Sequence, residues 1–245
     1  MLKKLKDKFR YTKLHYFLLK FTNPNYINWI RNEFIFHKKF LNKNKIIFDL
    51  GANIGDKSYI FSAFAKKVFA YEPENKMHLI LKNRFINKNV VIKKKLFSNK
   101  KGYTNFYIVD KDEAYSTIKP KSLKFFDHID KKNIRIIKKE TTTLNLEIKK
   151  NGIPDYIKID CEGAEKLILQ NLIYKIPILS FELNLPQFYK EGEYIIMSFK
   201  KKFKSEYNIR IHEKNEFLFK KNVSANKCLR FLKNKNIVSE VFIFS

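Results

Sequence analysis

The stretch IIFDLGANIGDKSYIFSAFA, residues 46–65, passes from an apolar strand through a turn with two glycines into an amphipathic helical pattern. Such a turn places free backbone N–H groups and the positive end of a helix at one point, which suits a bound cofactor. The dinucleotide pattern G-x-G-x-x-G uses its second glycine to let the backbone approach a pyrophosphate. Here the pattern is G-x-x-x-G, and Asn53 stands between Gly51 and Gly55. The turn therefore favours a cofactor without phosphates.

A second clue is the acidic residue at the end of the next strand, KKVFAYEPE. Glu72 follows Gly51 by 72 − 51 = 21 residues. A carboxylate about 20 residues after the glycine turn is placed to accept hydrogen bonds from ribose hydroxyls. Each feature alone is also typical of an ordinary strand-to-helix turn or a solvated strand end. Together they predict S-adenosylmethionine as the cofactor.

Composition limits the class of protein. A chain of 245 residues with 44% hydrophobic content predicts one α/β domain with a short appendage and argues against disorder. No apolar run approaches the about 18 residues of a membrane-spanning helix. The two cysteines, Cys161 and Cys228, form no CxxC pattern, so we expect a reducing, cytoplasmic location.

The net charge of +27 comes from 51 Lys and Arg against 24 Asp and Glu. Such a charge would ordinarily indicate nucleic acid or an anionic membrane as partner. However, the lysines are spread through every segment, and the chain is also rich in Asn, Ile, Phe and Tyr, as expected from an adenine- and thymine-rich genome. A nucleic-acid partner is therefore the less favoured interpretation.

Residues 1–44 are predicted to form a short helical N-terminal extension, and residues 45–245 the main domain. In the extension, Leu2, Leu5, Phe9 and Leu14 recur at roughly helical spacing among lysines. A basic amphipathic helix can lie on the anionic inner face of a membrane, but more often it packs on its own domain.

From residue 45 onward, strands alternate with helical patterns, which predicts a mostly parallel sheet built from βαβ units. The seven predicted strands are KIIFDL, VFAYE, VVIKK, DYIKID, ILSFEL, YNIRIH and EVFIFS. The predicted helices cover 56–67, 73–87, 163–174 and 191–204, with Pro73 at a first helical position. Residues 97–126 lack clear periodicity and are predicted to form an irregular insert or an added hairpin.

Acidic residues follow two of the predicted strands. Asp160 and Glu162 end the strand in PDYIKIDCEGAEKLIL, and Glu182 ends ILSFEL. Acids at the carboxyl ends of strands in an open α/β sheet project into the crevice that binds ligands. Glu162 and Glu165 are also explained as partners of a helix N-terminus. For Asp160 and Glu182 that explanation is weaker, because an acid at the end of a buried strand is costly without partners.

Four segments carry a resemblance to a known family: FDLGANIGDKS, AYEPENKMHLILKN, DYIKIDCEGAEKLIL and ILSFELN. They resemble the FkbM family of S-adenosylmethionine-dependent methyltransferases, which implies a Rossmann-like methyltransferase fold with helices on both faces of the sheet. The likeness extends from about residue 46 to the final strand. It implies methyl transfer to a hydroxyl, commonly on a sugar of a glycan, glycolipid or secondary metabolite.

The resemblance also implies roles for individual residues. Near the methionine and ribose of the cofactor it places Asp49, Gly51, Asn53, Gly55 and, on the ribose hydroxyls, Glu72. Near the adenine, Leu96 and Ser98 are weaker candidates, and Asp160 and Glu162 would face the methyl group and the acceptor. One position departs from the family pattern: Asn145 stands where an Asp is usual. A role that needs that charge is therefore not expected here.

A sugar hydroxyl is a weak nucleophile, so a general base is expected. Asp160 is the first candidate, followed by Glu162 and Glu182, with His212 last. The same three acids are an alternative site for a divalent cation, although no metal site is predicted. Two other functions stay open, an RNA methyltransferase with the same fold and a binding module that has lost catalysis.

Overall fold

The computed structural model describes residues 18, 22–42, 45–86, 88–109, 116–120, 123 and 131–245. The predicted basic helix around Leu2, Leu5, Phe9 and Leu14 lies outside these residues. Within them, no helix has both the length and the apolar character needed to cross a membrane.

The described elements alternate between helices and strands along most of the chain. In chain order they are α1 (Pro24–His37), β1 (Lys45–Leu50), α2 (Asp56–Phe64), β2 (Ala65–Tyr71), α3 (Asn75–Arg84), β3 (Val90–Lys93), β4 (Leu96–Phe97), β5 (Gly102–Val109), β6 (Ile134–Thr142), α4 (Leu144–Asn151), β7 (Tyr156–Ile159), α5 (Glu165–Leu169), β8 (Ile178–Asn184), α6 (Tyr189–Phe203), β9 (Glu206–Ile211), α7 (Ala225–Leu232) and β10 (Val238–Phe244).

The main sheet has seven strands in the order β3-β2-β1-β7-β8-β10-β9, which confirms the prediction of a seven-stranded, mostly parallel sheet. Only β10 runs antiparallel to its neighbours, β8 and β9. The chain reverses its direction of winding between β1 and β7, which are adjacent in the sheet. In open α/β sheets, ligands bind at such a switch point, in the crevice beyond the carboxyl ends of the strands.

Helices cover both faces of this sheet, as predicted. On one face, Phe48, Ile157 and Phe181 pack with residues of α4, α5, α6 and α7. On the other face, the apolar residues of the strands meet Phe36 of α1 and Phe61 of α2. The N-terminal helix α1 thus contributes to the core of the sheet, while the division of the chain at residue 44 stays a prediction.

Several helix boundaries differ from the predictions by a few residues. Strand β2 already begins at Ala65, so α2 is shorter than predicted. Helix α3 begins at Asn75 and not at Pro73, because the Glu74 side chain caps it by accepting hydrogen bonds from the backbone N–H groups of Lys76 and Met77. Helix α5 ends at Leu169, well before residue 174.

Asn145 explains the early turn after α5. Its Oδ1 accepts a hydrogen bond from the backbone N–H of Ile173 at 3.0 Å, and its Nδ2 donates to the carbonyl of Asn171 at 2.7 Å. A carboxylate accepts but does not donate, so Asp would lose one of these bonds. Asn145, which departs from the family pattern, therefore makes a pair of hydrogen bonds that Asp could not make in full.

Strand β5 of the predicted insert belongs to a second sheet, β4-β6-β5, and forms an antiparallel hairpin with β6. A hairpin is therefore added to the main sheet, as predicted, but its second strand lies at Ile134–Thr142, beyond the predicted residues 97–126. Tyr107 of β5 bridges to Thr117, which brings residues 116–118 to the edge of the main sheet. Residues 110–115, 121–122 and 124–130 of the insert lie outside the described residues.

Candidate active site

A cavity of about 140 Å³ opens at the carboxyl ends of β1, β2 and β7; we call it the first cavity. Six of the ten predicted site residues line it: Gly51, Asn53, Glu72, Leu96, Asp160 and Glu162. Apolar walls are added by Phe97 and Phe106, and residues 116–118 of the insert approach from the other side. The structure therefore brings together residues from six separate segments of the chain.

The two glycines of the turn serve close packing. A Cβ atom on Gly51 would lie only 1.7 Å from the carbonyl oxygen of Asp160, because the loops after β1 and β7 touch there. Gly55 does not line the first cavity; its Cβ would meet side chains of Leu81 and Phe85 at 2.6 Å. Both glycines have φ in the left-handed region, at 76° and 85°. Gly51 thus allows the loops after β1 and β7 to touch, whereas Gly55 allows the start of α2 to pack closely against Leu81 and Phe85.

The Glu72 carboxylate holds the glycine turn in place. One oxygen accepts a hydrogen bond from the backbone N–H of Asn53 at 2.9 Å, and the other accepts from Glu74 at 2.7 Å. Burial raises the pKa of Glu72 to about 7, although these two bonds act to lower it. Each carboxylate oxygen has a further lone pair that can accept from a hydroxyl in the cavity.

Asp49 and Ser98 lie outside the first cavity. Asp49 is completely buried below the turn, where its Oδ2 accepts from Ser58 Oγ at 2.5 Å and its Oδ1 lies 4.0 Å from Lys158 Nζ. Burial raises the pKa of Asp49, and the charge of Lys158 opposes that shift. The backbone N–H of Ser98 donates to the carbonyl of Thr142, which joins β4 to β6. A cofactor role for Asp49 and Ser98 stays a prediction.

Lys158 is a site residue that the sequence analysis missed. It is 7% exposed, and its Nζ donates to Asp160 Oδ2 at 3.0 Å. Burial would lower the pKa of Lys158, but the charges of Asp160 and Asp49 outweigh it and raise the pKa. The available signal was a lysine in the otherwise apolar strand YIKI, two residues before Asp160 and so on the same face of the sheet.

Glu162 and Glu182 are acids whose protonated forms are favoured. Burial, followed by the charges of Asp160 and Glu182, raises the pKa of Glu162 to about 10. For Glu182 the largest cause is the charge of Asp160, followed by burial, and its pKa is raised to about 8. The backbone at Glu162 has φ 51°, and its carbonyl accepts a hydrogen bond from Thr117 Oγ1 at 2.9 Å. The insert is thus tied to the loop that carries Glu162.

Glu182 lines a second cavity of about 60 Å³ and not the first. Asp160 lines both cavities, so it stands where they meet. Pairing in the sheet places Glu182 of β8, Glu240 of β10 and Arg210 of β9 side by side. The second cavity is also lined by Lys57, Lys158, His212 and Glu213.

Glu33 of helix α1 is the buried acidic partner of Arg210 and Lys57. Glu33 is completely buried, and its carboxylate accepts from the two terminal guanidinium nitrogens of Arg210, at 2.5 and 3.2 Å, and from Lys57 Nζ at 2.8 Å. Burial alone would raise the pKa of Glu33, but Lys57 and Arg210 lower it below its usual range. Sequence analysis missed this contact because Glu33 and Arg210 are 177 residues apart.

Asp160, Glu162 and Glu182 were also considered as metal ligands. Among the residues that the structure describes, no group of three or more His, Cys, Asp or Glu side chains is arranged to hold a metal ion. His212, the last candidate for the base, is exposed at the rim of the second cavity.

A seven-stranded sheet of this order with a ligand cavity at its switch point defines an α/β methyltransferase fold. A model of the methyltransferase FkbM domain matches residues 49–223, so the chain belongs to the FkbM methyltransferase family. The cofactor that this membership supports is S-adenosylmethionine.

The chain is also similar to several solved structures at low sequence identity. The chain is similar to precorrin-6y C5,15-methyltransferase from Geobacter metallireducens, with 10% identity, 87% of each chain covered and a TM-score of 0.47. It is similar to a plantazolicin methyltransferase in complex with SAH, with 10% identity, coverage of 89% and 81%, and a TM-score of 0.46. It is also similar to an rRNA methylase from Streptococcus thermophilus, with 10% identity, coverage of 88% and 94%, and a TM-score of 0.43. No curated protein matches the sequence.

The residues of the first cavity fit S-adenosylmethionine in their chemistry. Glu72 offers carboxylate oxygens to hydroxyl groups, and Leu96, Phe97 and Phe106 offer apolar surface. Asn53 occupies the position at which a dinucleotide site needs bare backbone, and its φ of 49° is left-handed. We therefore propose the first cavity as the site of the cofactor and call it the cofactor cavity.

Proposed function

We propose that the protein transfers a methyl group from S-adenosylmethionine to a hydroxyl of a sugar in a glycan, glycolipid or secondary metabolite. The observation that carries this proposal is the position of Asp160. It lines the cofactor cavity and the second cavity together, and Lys158 holds one of its carboxylate oxygens at 3.0 Å. An acceptor in the second cavity would lie against Asp160, which also borders the cofactor cavity.

The chemistry requires a group that takes the proton from the acceptor hydroxyl. When bound, S-adenosylmethionine supplies a methyl group already activated by its sulfonium. Asp160 is the base of the proposal, because the oxygen not held by Lys158 is available to accept the hydroxyl proton. General base catalysis of this kind contributes about 10²- to 10⁴-fold, and correct positioning of the hydroxyl contributes about 7–11 kcal/mol.

The neighbouring acids have a different part in this proposal. With pKa values of about 10 and about 8, Glu162 and Glu182 carry a proton at neutral pH. A protonated carboxyl both donates and accepts hydrogen bonds, so Glu182 suits the binding of a sugar hydroxyl in the second cavity, whereas Glu162 lines the cofactor cavity. Asp160 then remains the group of the three that takes up a proton during the reaction.

The charges of the second cavity favour an uncharged acceptor over RNA. Four acidic side chains line it, and each of its three cations already forms an ion pair: Lys57 with Glu33 and Glu213, Lys158 with Asp160, Arg210 with Glu33 and Glu240. RNA binding depends on cations that neutralise phosphates. Hydroxyl groups need no such cations, which supports the sugar acceptor.

The test is transfer of label from methyl-labelled S-adenosylmethionine into carbohydrate, lipid, RNA and protein fractions of the source cells. We expect label in carbohydrate, and a loss of more than about 100-fold in turnover for Asp160→Asn with unchanged cofactor affinity. Label in RNA would replace the sugar proposal, and failure to bind S-adenosylmethionine would favour a module without catalysis. Turnover that a chelator abolishes would support the divalent-cation alternative.

Asp155→Asn is the matched control. Asp155 and Asp160 flank the same strand, β7, are 31% and 28% exposed in their side chains, and each pairs with one lysine, at 3.1 and 3.0 Å. Asp155 pairs with Lys45 at the opposite end of the strand from the cavities. Equal activity in the two variants would remove the base assignment.

A further inference from the structure

A third cavity continues the second one along the sheet edge. The third cavity has a volume of about 290 Å³, against about 60 Å³ for the second. The two share His212 and Val238 in their linings. Asp160 in turn lines both the second cavity and the cofactor cavity, so the three cavities are neighbours with shared lining residues at each junction.

Strand pairing gives the direction of this series. Glu182 faces Glu240 in the β8–β10 pair at the second cavity, and Asn184 faces Val238 at the third. Asn184 follows Glu182 by two residues, so the two side chains lie on one face of the sheet, about 7 Å apart along the strand. Asn184 Nδ2 donates to Glu182 Oε1 at 3.1 Å, which links the walls of the two cavities.

The lining of the third cavity differs from that of the second. Three amide side chains, Asn184, Gln187 and Asn236, stand beside the apolar side chains of Leu185 and Phe188. Among the described residues, no Asp, Glu, Lys or Arg lines this cavity. An amide offers both a donor and an acceptor, as a sugar hydroxyl does, and a largely apolar wall with a few placed polar groups is typical of small-molecule sites.

We propose that the second and third cavities form one acceptor groove for an oligosaccharide of at least two sugar units. The reacting unit lies at Asp160, and the next unit lies in the third cavity with Gln187 and Asn236 at its rim. This inference rests on the proposed function and adds the size of the acceptor to it. Of the described residues that line the third cavity, only the exposed His212 is suited to proton transfer, so this cavity contributes affinity and selectivity and not the chemical step.

The experiment compares acceptors by size. Carbohydrate from the source cells is partly hydrolysed, separated into one-unit, two-unit and longer fractions, and each fraction is tested as acceptor with labelled S-adenosylmethionine. We expect a higher kcat/KM for the two-unit fraction than for the one-unit fraction. In Gln187→Ala/Asn236→Ala, the KM for the two-unit fraction should rise about tenfold, because two neutral hydrogen bonds are lost. The KM for the one-unit fraction should stay unchanged.

Asn105→Ala/Asn226→Ala is the control, because both amides are exposed and neither lines a described cavity. Gln187 and Asn236 are also exposed, so the groove variant should fold, and its circular dichroism spectrum and affinity for S-adenosylmethionine should equal those of the wild type. Equal kcat/KM on all fractions, or a KM change that does not depend on acceptor size, would overturn the groove alone. No label in any carbohydrate fraction, despite cofactor binding, would overturn the proposed function and the groove with it.

Discussion

The two walls that meet at Asp160 are held in place by different forces. The cofactor wall, formed by Gly51, Asn53 and Glu72, is fixed by backbone contacts: Gly51 touches the backbone of Asp160, and Glu72 binds two backbone N–H groups. The acceptor wall, formed by Lys158, Glu182, Arg210 and Glu240, is fixed by charged side chains, several of which are paired inside the protein. Steric changes should therefore damage the first wall, and loss of charge the second.

The largest effect is expected for Gly51→Ala. The new Cβ would lie 1.7 Å from the carbonyl oxygen of Asp160, at a φ of 76°, so the loops after β1 and β7 would have to separate. We expect the free energy of unfolding to fall by more than about 4 kcal/mol and cofactor binding to be lost. Denaturant unfolding and calorimetric titration with S-adenosylmethionine measure the two effects.

Gly152→Ala separates the steric contact from the backbone conformation. Gly152 also has a positive φ, 90°, but a Cβ there meets nothing within 4 Å. We expect a loss of about 1–3 kcal/mol from the backbone alone, with cofactor affinity unchanged. If both alanine variants lose the same amount, contact between the loops does not fix the cofactor wall.

The second-largest effect is expected from loss of charge in the acceptor wall. Arg210→Met removes the main partner of Glu33 and leaves a completely buried carboxylate with Lys57 as its nearest remaining cation. Breaking a buried ion pair in this way costs about 3–5 kcal/mol, which we expect in denaturant unfolding. The double variant Glu33→Leu/Arg210→Met should recover most of the stability, because it removes the buried Glu33 carboxylate, while Lys57 keeps Glu213 and Glu240 keeps its hydrogen bond from Ser180. A double variant as unstable as Arg210→Met would show that packing, and not charge, holds the acceptor wall.

The difference between backbone contacts in one wall and charged side chains in the other also explains what could be predicted from the sequence. The strands of the main sheet and the cofactor wall depend on short-range patterns: apolar runs, the spacing of Gly51 and Gly55, and an acid 21 residues after the first glycine. The start of α3 and the end of α5 were missed because single side chains, Glu74 and Asn145, decide where each helix begins or the chain turns.

The acceptor wall could not be predicted in the same way. Its ion pairs join α1, α2, β9 and β10, and no local pattern reveals that Glu33 meets Arg210. Lys158 was visible as a charge in an apolar strand, but the sequence does not show that Asp49 and Asp160 lie on either side of it. The order of the strands supplies that information.

The smallest effect concerns the one titrating group placed in the cofactor wall. Burial raises the pKa of Glu72 from 4.5 to about 7, so the folded protein binds this proton more tightly than the unfolded chain does. Its contribution to stability is present below pH 4.5 and is lost as the pH rises through 7. Hydroxyl groups of the cofactor favour the ionised carboxylate, so the affinity for S-adenosylmethionine should rise roughly tenfold from pH 6 to pH 8.

Glu165 provides the comparison that decides whether this pH dependence belongs to the cofactor wall. Burial raises its pKa to about 7 as well, but it does not line the cofactor cavity and accepts a hydrogen bond from the backbone N–H of Cys161 at 2.8 Å. Titration calorimetry at several pH values should show a flat profile for Glu72→Gln and an unchanged rise for Glu165→Gln, while both variants lose part of the pH dependence of stability. A rise that persists in Glu72→Gln would mean that the cofactor does not bind through this carboxylate, and the backbone contacts alone would then define the cofactor wall.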